Sequence, residues 1–199
     1  MEVAKGQQPD EKLSFPEGFQ KMNRGVSTRV AADTSSLILL QKVGLLHCFL
    51  QSYVPVIAAA VYKELGVPGK QGAAELTDLV RHAACRADAA DNIAGLGRGE
   101  SGAILLWKKG LADFLLVDDK KAAHYCKAHA IPFVNSLLMP RILEQNGALT
   151  HEQSAAVLLL LVRFGYYSEA VIKRAAAMSA EDLRFFHPVQ TVIDASSYS

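Results

Sequence analysis

The sequence predicts an α/β fold, a central parallel sheet flanked by helices, on three observations. From residue 28 onward, short apolar runs of strand length alternate with longer runs at helical spacing. Two of the short runs end directly in aspartate, at Asp33 and at the pair Asp118 and Asp119, where a strand would hand over to a helix N-cap. Gly66 and Gly110 close two of the helical runs.

Composition bounds what such a fold could do. With 199 residues and 50% hydrophobic content, the chain can bury one domain core and carry a small appendage. A net charge of +1 excludes a strongly basic nucleic-acid coat, so any grip on a polyanion must be local. The three cysteines, Cys48, Cys85 and Cys126, are odd in number, far apart and free of Cys-x-x-Cys spacing. They read as buried thiols rather than disulfides or zinc ligands, which suits a reducing cytoplasm. The longest apolar stretch, residues 155–162, is far short of the ~20 residues that span a bilayer. Residues 1–26 lack the apolar core of a signal peptide. A cytoplasmic protein with no membrane partner is expected.

In chain order, residues 1–27 form a flexible arm in which Phe15 and Phe19 are the candidate anchors. Residues 30–32 are a first strand, followed by capping side chains at Asp33, Thr34 and Ser35 and by a helix, or helix pair broken near Gly44, over 37–50. A second strand over 54–57 continues into a helix over 58–65. Residues 66–72 form a Gly/Pro loop, and 73–90 carry the spacing of a further helix. A tight turn over 96–99 delivers Glu100 to the start of a helix over 101–109. The next strand, 114–117, ends at Asp118 and Asp119, and a helix over 120–129 leads to a last central strand over 131–134. Residues 136–178 are helical, and Thr150 with Gln153 matches a capping box. The leucine run there packs most simply against the sheet, with a homodimer interface as the alternative. The domain is placed at 28–178, with a tail over 179–199.

Taken singly, the carboxylates have ordinary explanations. Asp33, Asp118 and Asp119 can be helix N-caps, Glu64 a solvated helical residue, and Glu100 an acid in a first turn, worth ~0.3–1 kcal/mol. Jointly they are harder to dismiss, because right-handed βαβ winding would bring them to one rim. Two unit charges 4 Å apart repel by ~4 kcal/mol at an effective dielectric of 20, so clustered carboxylates would protonate or bind a cation. Oxygen ligands alone favour Mg²⁺ or Mn²⁺ over zinc. The six histidines are scattered without convincing metal spacing.

Four motifs in order carry a resemblance. They are Ala32-Asp33-Thr34-Ser35-Ser36-Leu37-Ile38, Val54-Pro55-Val56-Ile57 followed by Val61-Tyr62-Lys63-Glu64-Leu65, Gly97-Arg98-Gly99-Glu100-Ser101-Gly102-Ala103-Ile104, and Leu115-Leu116-Val117-Asp118-Asp119-Lys120-Lys121-Ala122-Ala123. Over roughly residues 28–178 the chain resembles PIN-domain nucleases, in a prokaryotic branch with Gly-Glu and Asp-Asp motifs. The resemblance implies a three-layer PIN-like fold with extra C-terminal helices. It further implies hydrolysis of phosphodiester bonds in single-stranded RNA with Mg²⁺ or Mn²⁺. The acids that would hold the metal are Asp33, Glu64, Glu100 and one of Asp118 and Asp119, the strand-end position favouring Asp118. Glu100 stands where toxin-like members often have aspartate. Many small PIN proteins are toxins, so an antitoxin is an implied partner, besides RNA and a possible second copy of the chain. The alternative is an inactive PIN-fold module that binds nucleic acid or protein. A receiver domain beginning at residues 115–119 would need more βα pattern after it than follows.

Substrate contacts would fall to Arg98, Lys108, Lys109, Lys120, Lys121, Arg163, Lys173 or Arg174. Tyr166 and Tyr167 could stack on bases, although adjacent aromatics point apart and core packing suits one of them.

Overall fold

Small and branched apolar residues fill the strand at the centre of the sheet, Arg29–Ala32 (β1), where Val30, Ala31 and Ala32 are wholly buried. A strand covered on both faces excludes polar side chains, which is why it reads as an unbroken apolar run. The computed structural model describes residues 28–59, 85–87 and 92–189. β1 pairs in parallel with Val54–Ala58 (β2) on one side and Phe114–Leu116 (β4) on the other. Cys85–Ala87 (β3) extends the sheet beyond β2, and Phe133–Val134 (β5) extends it beyond β4. Among the described residues the order is therefore β3-β2-β1-β4-β5, all parallel.

Helices cover both faces. Thr34–Lys42 (α1) and Leu46–Ser52 (α2) link β1 to β2, broken at Gly44 with φ 75°, as the glycine there suggested. Arg98–Lys108 (α3) lies across β1 and β2 and touches β4. Gly102 makes that approach possible: a Cβ there would sit 2.5 Å from the Cβ of Ala58. Lys120–Ala128 (α4) joins β4 to β5. A 3₁₀ turn, Ser136–Leu138, then opens the C-terminal helices Met139–Gln145 (α5), His151–Phe164 (α6), Glu169–Ala177 (α7) and Ala180–Arg184 (α8). The capping box of Thr150 and Gln153 forms as read from the sequence. Arg141 holds the other end of α7 by donating to the carbonyls of Ala175 at 2.7 Å and Met178 at 2.8 Å.

The structure corrects four sequence expectations. Residues 85–87 are an edge strand rather than part of a helix over 73–90, because three residues are too few to show strand alternation beside alanine-rich neighbours. The last strand is an edge strand of two residues rather than a central one. The leucine run of α6 packs on α5 and the 3₁₀ turn instead of the sheet: Leu161 is fully buried, whereas Leu159 is 73% exposed. Residues 179–189, read as tail, fold back into the core. Leu183 and Phe186 are buried, Tyr53 donates its hydroxyl to the Phe186 carbonyl at 2.7 Å, and the Val189 N–H donates to the Thr28 hydroxyl at 2.9 Å. Phe186 meets Phe114 edge-on, and Phe114 meets Tyr53 likewise, so three distant segments share one aromatic cluster at the amino edge of the sheet. The arm over 1–27, the helix over 58–65 with Glu64, and the Gly/Pro loop lie outside the described residues, apart from residues 58 and 59.

Gly102→Ala separates two effects of opposite sign. Helix propensity alone would favour alanine by ~1 kcal/mol, but the Cβ collides with a rigid neighbour, and overpacking costs ~1–3 kcal/mol. A net loss of stability is expected in chemical denaturation. A rise in the midpoint would show that α3 can move off β2 freely.

Candidate functional site

The winding reverses direction at β1 and β4, because β1 leads outward to β2 and β3 while β4 leads the other way to β5. Neighbouring strands whose connections diverge leave a crevice at their carboxyl ends, where ligands of open α/β sheets bind. Ala32 pairs with Leu116, so Asp33 emerges beside Val117 and Asp118 follows one residue later on the adjacent strand end. Neighbouring strands lie about 4.8 Å apart, and the two aspartates are close enough for the charge of Asp118 to be felt at Asp33.

Asp33 is only 2% exposed. Its carboxylate caps α1, accepting from the Ser36 N–H at 2.8 Å through Oδ1 and from the Ser35 hydroxyl at 2.9 Å through Oδ2. Burial pushes its pKa up from 3.8 to about 6; the Ser36 and Ser35 hydrogen bonds oppose the shift and the Asp118 charge adds to it. Ser36, itself buried, also donates to the Leu116 carbonyl at 3.5 Å, tying the start of α1 to the end of β4.

Asp118 is held by three donors from outside its own strand. The Ser136 N–H reaches Oδ1 at 2.9 Å, the Ser136 hydroxyl reaches Oδ2 at 2.5 Å, and the Tyr167 hydroxyl reaches Oδ1 at 2.5 Å. Burial first, and the Asp118 charge and hydrogen bond after it, drive the Tyr167 pKa well above the usual phenol value, so Tyr167 keeps its proton and donates the hydrogen bond. Asp119 is engaged elsewhere: its Oδ1 caps α4, accepting from the Lys121 N–H at 2.8 Å and the Ala122 N–H at 2.9 Å. Glu100 lies in the first turn of α3, and its carboxylate folds back over Gly97, where any Cβ would collide with it. Helices in this winding run antiparallel to the strands, so the start of α3 belongs to the same rim. Glu64 is outside the described residues.

The structure thus brings Asp33 and Asp118 together, and among the described residues no group of three or more acids, histidines or cysteines is arranged to hold a metal. Sequence reasoning passes over Ser136 as a site residue, although it lies two residues past the end of β5 as Asp118 lies two past the end of β4. Tyr167 was weighed only for stacking or core packing. Its partner is 49 residues away, beyond any local pattern.

Asp33 makes stability depend on pH with a definite sign. Its folded-state pKa is raised, so the stability it contributes is complete below about pH 4 and is lost as pH rises through about 6. The rise from 3.8 to about 6 corresponds to about 3 kcal/mol. Asp33→Asn, which keeps the N-cap acceptor, should therefore stabilise the metal-free protein by ~1–3 kcal/mol at pH 7.5, and by much less at pH 4, in urea denaturation. Equal effects at both pH values would mean that the buried charge is not what the fold carries as a burden.

Residues 29–181 match the family model DUF3368, described as a PIN domain. No curated protein matches the chain in sequence. The match spans the sheet, both strand-end aspartates and α3 through α7, and with the switch-point crevice it establishes that this chain belongs to the PIN-domain family.

Proposed function

We infer that the chain is a metal-dependent nuclease that hydrolyses phosphodiester bonds of single-stranded RNA. The observation that carries this reading is the electrostatically coupled pair Asp33 and Asp118 at the switch point of a PIN fold.

PIN-domain nucleases generally use divalent metals, and the donors present suit one. They are oxygen atoms on neighbouring strand ends, and ionised Asp33, disfavoured by burial and by its neighbour's charge, would gain from a hard cation such as Mg²⁺ or Mn²⁺. Mg²⁺ is commonly held by one or two carboxylates with the remaining positions left to water and substrate. A bound ion of this kind supplies neutralisation of the phosphoryl charge and a more acidic water. Asp33 and Asp118 would be its direct ligands, kept in place by Ser35, Ser36, Ser136 and Tyr167. Glu100, and Glu64 if it reaches the rim, would orient the attacking water. Asp119 is assigned to the helix cap rather than to the metal.

Three cations support a polyanionic substrate. Arg98 opens α3, and Lys120 and Lys121 open α4. A cation in a first turn is disfavoured by the helix dipole, so helix stability does not account for these residues. Both helix starts face the carboxyl rim, where they would contact phosphates. Other basic residues are engaged: Lys173 pairs with Glu169 at 2.6 Å, Lys108 donates to the Tyr125 hydroxyl, and Arg163 lies over the Phe164 ring. Within this reading the chain serves as the toxin of a toxin–antitoxin pair, a role that rests on the resemblance of its motifs to small PIN toxins.

A second reading is an inactive PIN-fold module. It is favoured by the lack of a three-acid group among the described residues. Calorimetric titration decides between them, since RNA binding without Mn²⁺ binding would select the module.

Mn²⁺-dependent cleavage of a single-stranded RNA should fall by at least a hundredfold in Asp33→Asn and Asp118→Asn, yet survive in Asp119→Asn, which preserves the cap. Undiminished cleavage in Asp33→Asn would sink the assignment. Separately, replacing Arg98, Lys120 and Lys121 by glutamine should reduce the salt slope of RNA binding by about 0.7 for each phosphate no longer neutralised. An unchanged slope would place the RNA path elsewhere.

A further inference from the structure

We propose that Tyr167 is a positioning residue for the candidate metal site: its hydroxyl fills one oxygen of Asp118 and thereby sets the other as the oxygen that meets the cation. The proposal rests on the metal-dependent reading above.

A carboxylate offers about four lone-pair positions, two on each oxygen. Oδ1 of Asp118 accepts both the Ser136 N–H at 2.9 Å and the Tyr167 hydroxyl at 2.5 Å, so its positions are taken. Among the described residues Oδ2 accepts only the Ser136 hydroxyl, at 2.5 Å, and keeps one position for a ligand. The cation therefore meets Asp118 through a single oxygen. Without the tyrosine hydroxyl, Ser136 alone would hold the carboxylate, and Oδ1 would be open to water or to a second, misplaced mode of coordination.

The turn between α6 and α7 is shaped to deliver that hydroxyl. Gly165 ends α6. A Cβ on it would collide with the Tyr167 ring and lie 2.7 Å from the Leu161 carbonyl oxygen. Tyr166 then takes φ 53°, in the left-handed region that non-glycine residues avoid at a cost of order 1 kcal/mol or more. Its own ring is 93% exposed and gains little from being there. What the two residues achieve together is to reverse the chain so that Tyr167 points back to the end of β4. A strained turn that seats the Tyr167 ring against the core and aims its hydroxyl at a site carboxylate marks the placing of that tyrosine as the feature being kept.

The test is Mn²⁺ binding to the full chain, followed by calorimetry and by the Mn²⁺ electron paramagnetic resonance signal. Wild type is compared with Tyr167→Phe, Gly165→Ala and Tyr53→Phe. Partners that orient a ligating side chain typically contribute ~10–100-fold to metal affinity, and a loss in that range is expected for Tyr167→Phe. Gly165→Ala keeps the hydroxyl but displaces the ring, so it should weaken Mn²⁺ in the same direction; it also keeps the proposal falsifiable should Tyr167→Phe fail to fold. Tyr53→Phe removes a comparable hydroxyl bond, 2.7 Å to the Phe186 carbonyl at the opposite edge of the sheet, and should lower stability while leaving Mn²⁺ affinity at the wild-type value. Wild-type Mn²⁺ affinity in Tyr167→Phe overturns the positioning role and leaves the metal-dependent reading standing. Equal losses in Tyr167→Phe and Tyr53→Phe assign the effect to stability and overturn it as well. No Mn²⁺ binding by the wild-type chain overturns the metal-dependent reading, and this proposal with it.

Discussion

The pairing of β4 directly beside β1 is the constraint from which the rest of the rim follows. These strands are far apart in sequence, and their connections leave in opposite directions, so their carboxyl ends are not roofed by the helices that follow them. The amino ends are fastened by Arg29, which bonds the Asp113 carboxylate at 3.0 Å and the Gly110 carbonyl at 3.0 Å, while the Asp113 carboxylate also takes the Arg29 N–H at 2.7 Å. That fixes the register, and the register places Asp33 and Asp118 one residue out of step. Two carboxylates in that relation are near enough to repel.

The two aspartates have unlike surroundings. Asp33 is enclosed, and among the described residues its carboxylate takes hydrogen bonds from its own first helical turn. Asp118 is half-buried and gripped by Ser136, just past β5, and by the turn after α6. The first is anchored by local sequence, the second by tertiary structure. A change anywhere in the C-terminal helices can therefore reach Asp118 without touching the strand that bears it, whereas Asp33 answers mainly to burial.

The central strands were legible because each is an apolar run closed by a polar cap, as with Val30 to Ala32 before Asp33 and Phe114 to Val117 before Asp118. β3 was not, since Cys85, Arg86 and Ala87 sit among residues equally at home in a helix, and only pairing with β2 makes them a strand. The choice between Asp118 and Asp119 could not be read locally either. Both residues can cap a helix; Asp119 is the one that does, while Asp118 is held by Ser136 and Tyr167, which are 18 and 49 residues away from it. The α6 leucines misled for a related reason. Their spacing marks an apolar helix but not its partner, which turned out to be another helix, with Leu159 left in solvent.

The aromatic cluster at the base of the sheet also bears on how the chain is made. Phe49 and Tyr53 leave the ribosome before Phe114, and Phe114 before Phe186, yet among the described residues the Tyr53 hydroxyl is satisfied by the Phe186 carbonyl. Loop closure over 133 residues must precede that bond. Until then the nascent sheet carries an open apolar floor and a phenol without its acceptor. The cluster is thus complete only once residue 186 has been made, and a chain arrested before it would present that floor to chaperones or to its neighbours.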